Sequence, residues 1–396
     1  MKFASSQQST LGIEWELQLV DADSNDLRQS ADFLVEQFSA HPHIHREMLL
    51  NTIELTSGVH SSVSGCVGDL TSAFDEVSEA AAALRIELTS AGSHPFANPA
   101  YQRVTDKRRY RDLVERTQYW GRQMLLFGTH VHVGIDQRDK VLPILAAMLT
   151  KAYHIQALSA SSPFWNRTDT GYATNRAMYF QQLPTAGVPR QFQTWDELEE
   201  FERGMLATTT ISHFNEVRWD VRPSPTWGTL EIRVADANTN ISELAAVAAL
   251  THCLVDHYST MYDRGYELPR LPEWFVSENR WRSARYGMDA WLIVDSEGRE
   301  ECVKDSLLAL VDELAPTAKR LGCEAELARV SQICEQGAAY ERLRAVSQCN
   351  GGSLEAVTMH MREETRAGKP LTPRVYDSES TDRAARLFGL PGTNSN

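Results

Sequence analysis

The chain has 396 residues, 42% hydrophobic and 23% charged, a balance that suits a globular fold of one large domain or two ordinary ones. Its formal charge of -14 excludes a general nucleic-acid or membrane-surface binder, which needs a net basic face. It does not exclude a cleft in which local arginines and metal ions receive a polyanion.

No N-terminal apolar segment resembles a signal peptide, and the longest apolar run, residues 141–149, contains Pro143 and falls short of the roughly 20 residues of a membrane span. Six scattered cysteines without a Cys-x-x-Cys pair read as reduced thiols of a cytoplasmic protein.

The first informative stretch is residues 11–19, Leu-Gly-Ile-Glu-Trp-Glu-Leu-Gln-Leu. As a strand it places Ile13, Trp15 and Leu17 on one face and Glu14, Glu16 and Gln18 on the other. Same-face neighbours lie roughly 6.6 Å apart, so the two carboxylates raise each other's pKa unless a cation stands between them. All-oxygen donors favour Mg²⁺ or Mn²⁺ over zinc. Glu-x-Glu alone also describes a solvent-facing strand.

The tract His41-Pro-His-Ile-His45 reads as a solvated connection. Residues 47–56 follow, and their second half alternates, with Thr52, Glu54 and Thr56 opposite Ile53 and Leu55. Val67, Leu70, Phe74, Val77, Ala81, Leu84 and Leu88 recur at steps of three and four and predict one amphipathic helix, with Asp69, Asp75, Glu76 and Glu79 facing solvent. Residues 101–116 carry Lys107, Arg108, Arg109, Arg111 and Arg116, which read as a helix with a solvated basic face that could also guide phosphate.

Residues 125–135 form a third strand with His130 and His132 on one face of an otherwise apolar run. A buried helix over 142–160 is predicted next, then a polar and aromatic loop around Arg167, Tyr172 and Arg176, of the kind that is commonly functional. Residues 195–205 make an acidic helix, and 216–234 a hairpin with Glu231 and Arg233 on one arm and Arg218, Asp220 and Arg222 on the other. A helix over 242–262 is expected with Ser242 as its cap. Helical runs over 307–314, 325–346 and 353–367 lead to a polar tail from Lys369. No repeat or linker divides the chain, so residues 1–396 read as one composite domain.

Four strands thus each present ionisable residues on one face: Glu14 and Glu16, Glu54, His130 and His132, and Glu231 with Arg233. An antiparallel sheet with helices on its apolar face would gather them on one floor, suited to hard divalent ions and phosphate. Neither Gly-x-x-x-x-Gly-Lys-Ser/Thr nor Gly-x-Gly-x-x-Gly occurs, so any nucleotide must be held by metal and arginine.

Leu11-Gly-Ile-Glu-Trp-Glu, Ile53-Glu-Leu-Thr, Gly128-Thr-His-Val-His-Val-Gly-Ile, Ser162-Pro-Phe-Trp with Asp169-Thr-Gly-Tyr, Gly228-Thr-Leu-Glu-Ile-Arg-Val-Ala-Asp and Asn279-Arg-Trp-Arg-Ser-Ala-Arg-Tyr-Gly together resemble the type 2 glutamate–cysteine ligase family, in its YbdK-like carboxylate–amine ligase branch. The likeness covers about residues 10–368. It implies an α+β, glutamine-synthetase-like fold, a curved and mainly antiparallel sheet with helices on its outer face. It also implies ATP and Mg²⁺ (or Mn²⁺).

Carried over by position, the resemblance makes Glu14, Glu16, Glu47, Glu54, His130 and Glu231 metal ligands, with His132 a less secure neighbour. It makes Arg233 the contact for the substrate carboxylate or the transferred phosphoryl group, with Arg222, Arg176 and Arg167 as phosphate contacts. The implied reaction joins a small carboxylic acid, such as glutamate, to an amine, such as cysteine, through an acyl phosphate. An ATP–guanidino phosphotransferase or a non-catalytic nucleotide- or metal-binding relative are the alternatives. A homo-oligomer is compatible with the sequence, which does not set the oligomeric state.

Overall fold

The computed structural model describes residues 1–376. Its centre is a seven-stranded sheet of β1 (Leu11–Asp21), β2 (Ile44–Arg46), β3 (Thr52–Thr56), β4 (Ile86–Thr89), β5 (Gly128–Gly134), β6 (Val221–Ser224) and β7 (Thr229–Asp236). The order is β6-β7-β5-β1-β3-β2, and every pairing is antiparallel. Gln18 lies opposite both Thr52 and Thr89, so β4 extends the edge of β1 that β5 leaves free.

Five helices bear on the argument: α1 (Val63–Ala82), α2 (Arg108–Thr117), α3 (Arg138–Leu149), α4 (Ala152–Ser159) and α5 (Ile241–Asp263). The alternation in the strands decides what the helices cover. Ile13, Trp15, Leu17, Ile53, Leu55, Val131 and Val133 are all buried on one face, against which α1 and α5 pack. Burying a side chain of that size contributes about 1.5–3 kcal/mol, so this layer holds the sheet and leaves the opposite face free to carry charge. The sheet with helices on one face is the architecture expected from the pattern.

Several elements differ from expectation for local reasons. The helix predicted through Leu88 ends at Ala82, because Arg85 takes a left-handed φ of 55° and turns the chain back, so that Leu88 belongs to β4. The run predicted over 142–160 is two helices, α3 and α4, bent by 55°. Gly337, at φ 91°, splits the run predicted over 325–346 into Glu324–Gln336 and Ala339–Cys349. The cap of α5 is Asn240, whose side chain accepts from the Glu243 N–H at 2.9 Å, not Ser242.

The histidine tract is not a free connection, since Ile44–Arg46 pairs with β3 and sets His45 opposite Glu54. Asp69 is not merely solvated, as it accepts from the Gly58 N–H at 2.8 Å and meets His60 Nε2 at 2.6 Å. Among the described residues, no single helix is long and apolar enough to cross a membrane. The tail is anchored as far as Tyr376, which is buried and donates to Glu363 at 2.8 Å; residues 377–396 lie outside the described residues.

Candidate functional site

The sheet register assembles the polar face row by row. Glu231 lies opposite both Arg222 and His132, Glu14 opposite His130, and Glu16 opposite Glu54, which in turn faces His45. Glu47 enters from the turn between β2 and β3. These rows form the floor of a cleft of about 1250 Å³, lined by Glu14, Glu16, Glu47, Glu54, His130, Arg176, Arg222 and Arg233.

Two donor triads lie in this floor. Glu14, His130 and Glu231 can bring one ligand atom each within 4.8 Å of one another, and so can Glu16, Glu47 and Glu54. Their electrostatics are opposite. In the first triad, burial pushes the Glu14 carboxyl up, but hydrogen bonds from His130 (Nδ1 to Oε2, 2.8 Å) and His132 hold it well below the usual range. Burial is likewise outweighed at Glu231, where Arg233 and Arg222 hold the carboxyl low. Arg222 donates from Nε and Nη2 to one oxygen at 2.9 and 2.5 Å, and Arg233 donates to the other.

His130 is kept neutral near a pKa of about 4 by burial and by the Arg233 charge, so that with Nδ1 on Glu14 its Nε2 lone pair faces Arg176 Nη2 at 3.3 Å. His132 goes the other way, raised against burial by Glu231 and Glu14.

The second triad has no such partners. Burial and the neighbouring Glu47 charge raise Glu16 to about 8. Burial and the charges of Glu14, Glu47 and Glu16 raise Glu54 well above the carboxylate range, and Glu47 is raised as well, chiefly by burial. Three carboxylates this close, with Arg176, Arg233, Arg109 and Lys107 near enough to lower them but none in a salt bridge with them among the described residues, fit a hard divalent cation. The mixed carboxylate and imidazole triad beside it fits a second one.

The guanidinium wall is positioned by the fold. A bulge between Ile232 and Ala235 of β7 re-aims Arg233, whose N–H donates to Asp220 O at 2.8 Å. Arg176, on the short helix Asn175–Phe180, reaches His130 Nε2 at 3.3 Å and donates to the Arg233 carbonyl at 3.0 Å. It lies against Gly128, where a Cβ would come within 2.4 Å of its Nη2. Buried Asp236 ties the loops that carry it, accepting from Ser161 N (2.9 Å), Ser162 Oγ (2.6 Å) and Thr174 Oγ1 (2.7 Å).

Arg167 does not join them. It is exposed in the turn between Phe164–Trp165 and Thr168–Asp169, with its guanidinium over the Phe96 ring. Its left-handed φ of 69° belongs to that turn, and it is not among the residues that line the cleft.

Conversely, helix α2 is more than a solvated face. Arg108, Arg109, Tyr110 and Arg116 line the cleft, and the Tyr110 hydroxyl stands 3.4 Å from Glu47. The density of arginines was the available signal, but only the tertiary placement of α2 distinguishes a wall of the cleft from a surface. Arg218 lines it too, although its strand alone gave it no preference over Arg222.

The chain is similar to known proteins. The family model described as "Glutamate-cysteine ligase family 2(GCS2)" matches residues 10–360. A relative in Arthrobacter sp. (strain FB24), named "Putative glutamate–cysteine ligase 2-1", is 49% identical over 92% of this chain and 98% of its own length. A relative of the corresponding name in Leifsonia xyli subsp. xyli (strain CTCB07) is 48% identical over 93% of this chain and 99% of its own.

Among solved structures, a glutamate–cysteine ligase from Francisella tularensis in complex with AMP aligns with a TM-score of 0.65 at 13% identity, covering all of this chain and 97% of that one. A bifunctional glutathione synthetase from Pasteurella multocida aligns with a TM-score of 0.62 at 15% identity, over 91% of this chain and 51% of that one. These structures share the fold, and the match of the family model along nearly the whole chain places the protein in glutamate–cysteine ligase family 2.

Proposed function

We propose that the protein is an ATP-dependent ligase that joins a carboxylic acid to an amine, with glutamate and cysteine the pair suggested by the names of its relatives. The observation that carries this reading is the pairing, in one cleft, of two donor triads with the guanidinium wall of Arg176, Arg222 and Arg233. An unactivated carboxylate is a poor electrophile, so amide formation needs a leaving group. Transfer of the γ-phosphoryl of ATP to the acid yields an acyl phosphate and ADP, and the amine then displaces phosphate.

Such transfer depends mainly on positioning and charge neutralisation, and needs no enzyme nucleophile. Glu14, His130 and Glu231 would hold one Mg²⁺, and Glu16, Glu47 and Glu54 another. The ions would neutralise phosphate oxygens when bound. Arg233 is anchored through Glu231 and reaches the same floor, where it would orient the reacting carboxyl. Arg176, against His130, would steady the phosphoryl oxygens.

Mass spectrometry of products from ATP, Mg²⁺ and a pool of amino acids and amines tests the reading. An amide formed with one ADP per bond supports it. A phosphorylated guanidine with no amide would instead identify a phosphotransferase, and nucleotide binding without turnover across the pool a non-catalytic relative.

A further inference from the structure

The helix layer behind the sheet holds a group of reactive atoms that the cleft does not use. Cys253, midway along α5, and Cys323 are both fully buried, and their Sγ atoms stand 3.5 Å apart. Cys323 lies between the helices Val303–Leu321 and Glu324–Gln336, where Gly322, at φ 65°, turns the chain from one to the other. All six cysteines are free thiols.

His252, next to Cys253 in sequence and equally buried, supplies a base. Its Nε2 meets the Ser9 carbonyl at 2.8 Å, and a carbonyl only accepts, so Nε2 carries a proton. In the neutral ring Nδ1 then holds the lone pair, and this buried nitrogen has no hydrogen-bond partner among the described residues. A polar atom buried without a partner is destabilising, so the plain packing of two thiols does not account for it.

Cys323 is the sulfur poised to react. It caps the N-terminus of its 13-residue helix, where a thiolate is favoured. The Cys253 thiol donates to it, and His252 acts in the same direction. Together they bring Cys323 down to about 6 despite burial, while Cys253 is raised.

We propose that Cys253, Cys323 and His252 form a peroxide-sensitive dithiol site, oxidised reversibly to a disulfide that staples α5 to the turn at Cys323. The sulfurs need only close from 3.5 Å to a bond of about 2.05 Å, a shift that side-chain torsions can supply. Gly322 is exposed, so Cys323 lies one residue below the surface, within reach of an oxidant as small as hydrogen peroxide. The site is independent of the ligase reading, because α5 packs on the apolar face of the sheet and the cleft lies on the other.

The steps balance with one peroxide. His252 Nδ1 takes the Cys323 proton, the thiolate attacks one peroxide oxygen, and the O–O bond breaks. The departing hydroxide recovers the proton from His252 and leaves as water, with Cys323 now a sulfenic acid. Cys253 sulfur then displaces the sulfenic oxygen, which leaves as a second water with the Cys253 proton. Two thiols are oxidised by two electrons, and the peroxide is reduced to two waters.

The test treats the full chain with hydrogen peroxide at pH 7, unfolds it in urea with an alkylating agent, and maps its peptides by mass spectrometry. The expected product joins the Cys253 and Cys323 peptides, and dithiothreitol separates them again. The link closes a long loop of the unfolded chain, so the oxidised protein should melt about 5 °C above the reduced one. Cys253→Ser should lose that gain and leave a sulfenic acid at Cys323 that dimedone traps. His252→Gln keeps a donor for Ser9 but has no basic nitrogen, and should slow disulfide formation by about tenfold or more.

Recovery of Cys253 and Cys323 both fully alkylated, from protein whose exposed Cys349 has been oxidised, would overturn the inference. So would a Cys323 that pairs with another cysteine, or one that oxidises beyond sulfenic acid while Cys253 stays a thiol. A disulfide that forms as fast in His252→Gln as in wild type would strike His252 from the site.

Discussion

Glu16 and Glu54 stand directly opposite each other on β1 and β3, and neither forms a salt bridge with a basic side chain among the described residues. Directly opposed residues on antiparallel strands have Cβ atoms about 4.5–5.5 Å apart, where like charges destabilise. Burial, with the Glu47 charge at Glu16 and the charges of Glu14, Glu47 and Glu16 at Glu54, raises both carboxyls, Glu16 to about 8, and at neutral pH the metal-free protein holds protons that a cation must displace.

Divalent binding is thus coupled to pH. Mg²⁺ or Mn²⁺ should release about one or more protons per protein at pH 7, and apparent affinity should rise up to about pH 8. Titration calorimetry in two buffers of different ionisation enthalpy measures the release. Binding with no proton release would show that Glu16 and Glu54 are not ligands.

Stability of the metal-free protein follows the same acids with a definite sign. A carboxyl whose folded pKa is raised binds its proton more tightly when folded, so stability falls as pH rises from about 4.5 towards 8. Glu54→Gln removes one charge from the cluster and should raise the metal-free Tm by about 2–4 °C at pH 8, with little change at pH 5. It should also reduce the stabilisation that Mg²⁺ provides, as read by thermal melts with and without the ion.

The other triad behaves oppositely. The Glu231 carboxyl is held low by Arg233 and Arg222 against burial, so its stabilising contribution is present above about pH 4.5 and is lost as pH falls below that. Glu231→Gln strips both guanidiniums of their partner and should cost about 3–5 kcal/mol in urea unfolding at pH 7. A stability change as small as that of a surface substitution would refute this account of the wall.

Gly128 tests the placement of Arg176. In Gly128→Ala the new Cβ would meet the guanidinium at 2.4 Å and displace it from His130. Turnover should fall by about 10²-fold, the scale for loss of a charge-stabilising donor, while Tm moves by no more than a few degrees. Arg176→Ala should reproduce the loss. Arg167→Ala, in its exposed turn, should leave turnover unchanged.

Alternation of side chains along a strand is a local property, set by a backbone repeat of two. It is why the polar faces of Glu14 and Glu16, Glu54, and His130 and His132 could be read before any strand was placed. The same pattern required an apolar face, and so helices to cover it. Residue spacing carries no comparable record of where distant loops meet.

Arg176 and Arg167 lie nine residues apart in one polar loop and look alike on paper. Only Asp236, through Thr174, Ser162 and Ser161, ties one of them to the floor, while a left-handed turn carries the other into solvent. Arg218 and helix α2 became walls of the cleft by the same long-range packing. The carboxylates Glu14, Glu16, Glu54 and Glu231 were thus legible because each is tied to the register of its own strand, while Glu47, in a turn, was reached only through the family resemblance. Arg222 and Arg233 were legible for the same reason, whereas Arg176 and the arginines of α2 were not, because their positions depend on contacts dozens of residues away.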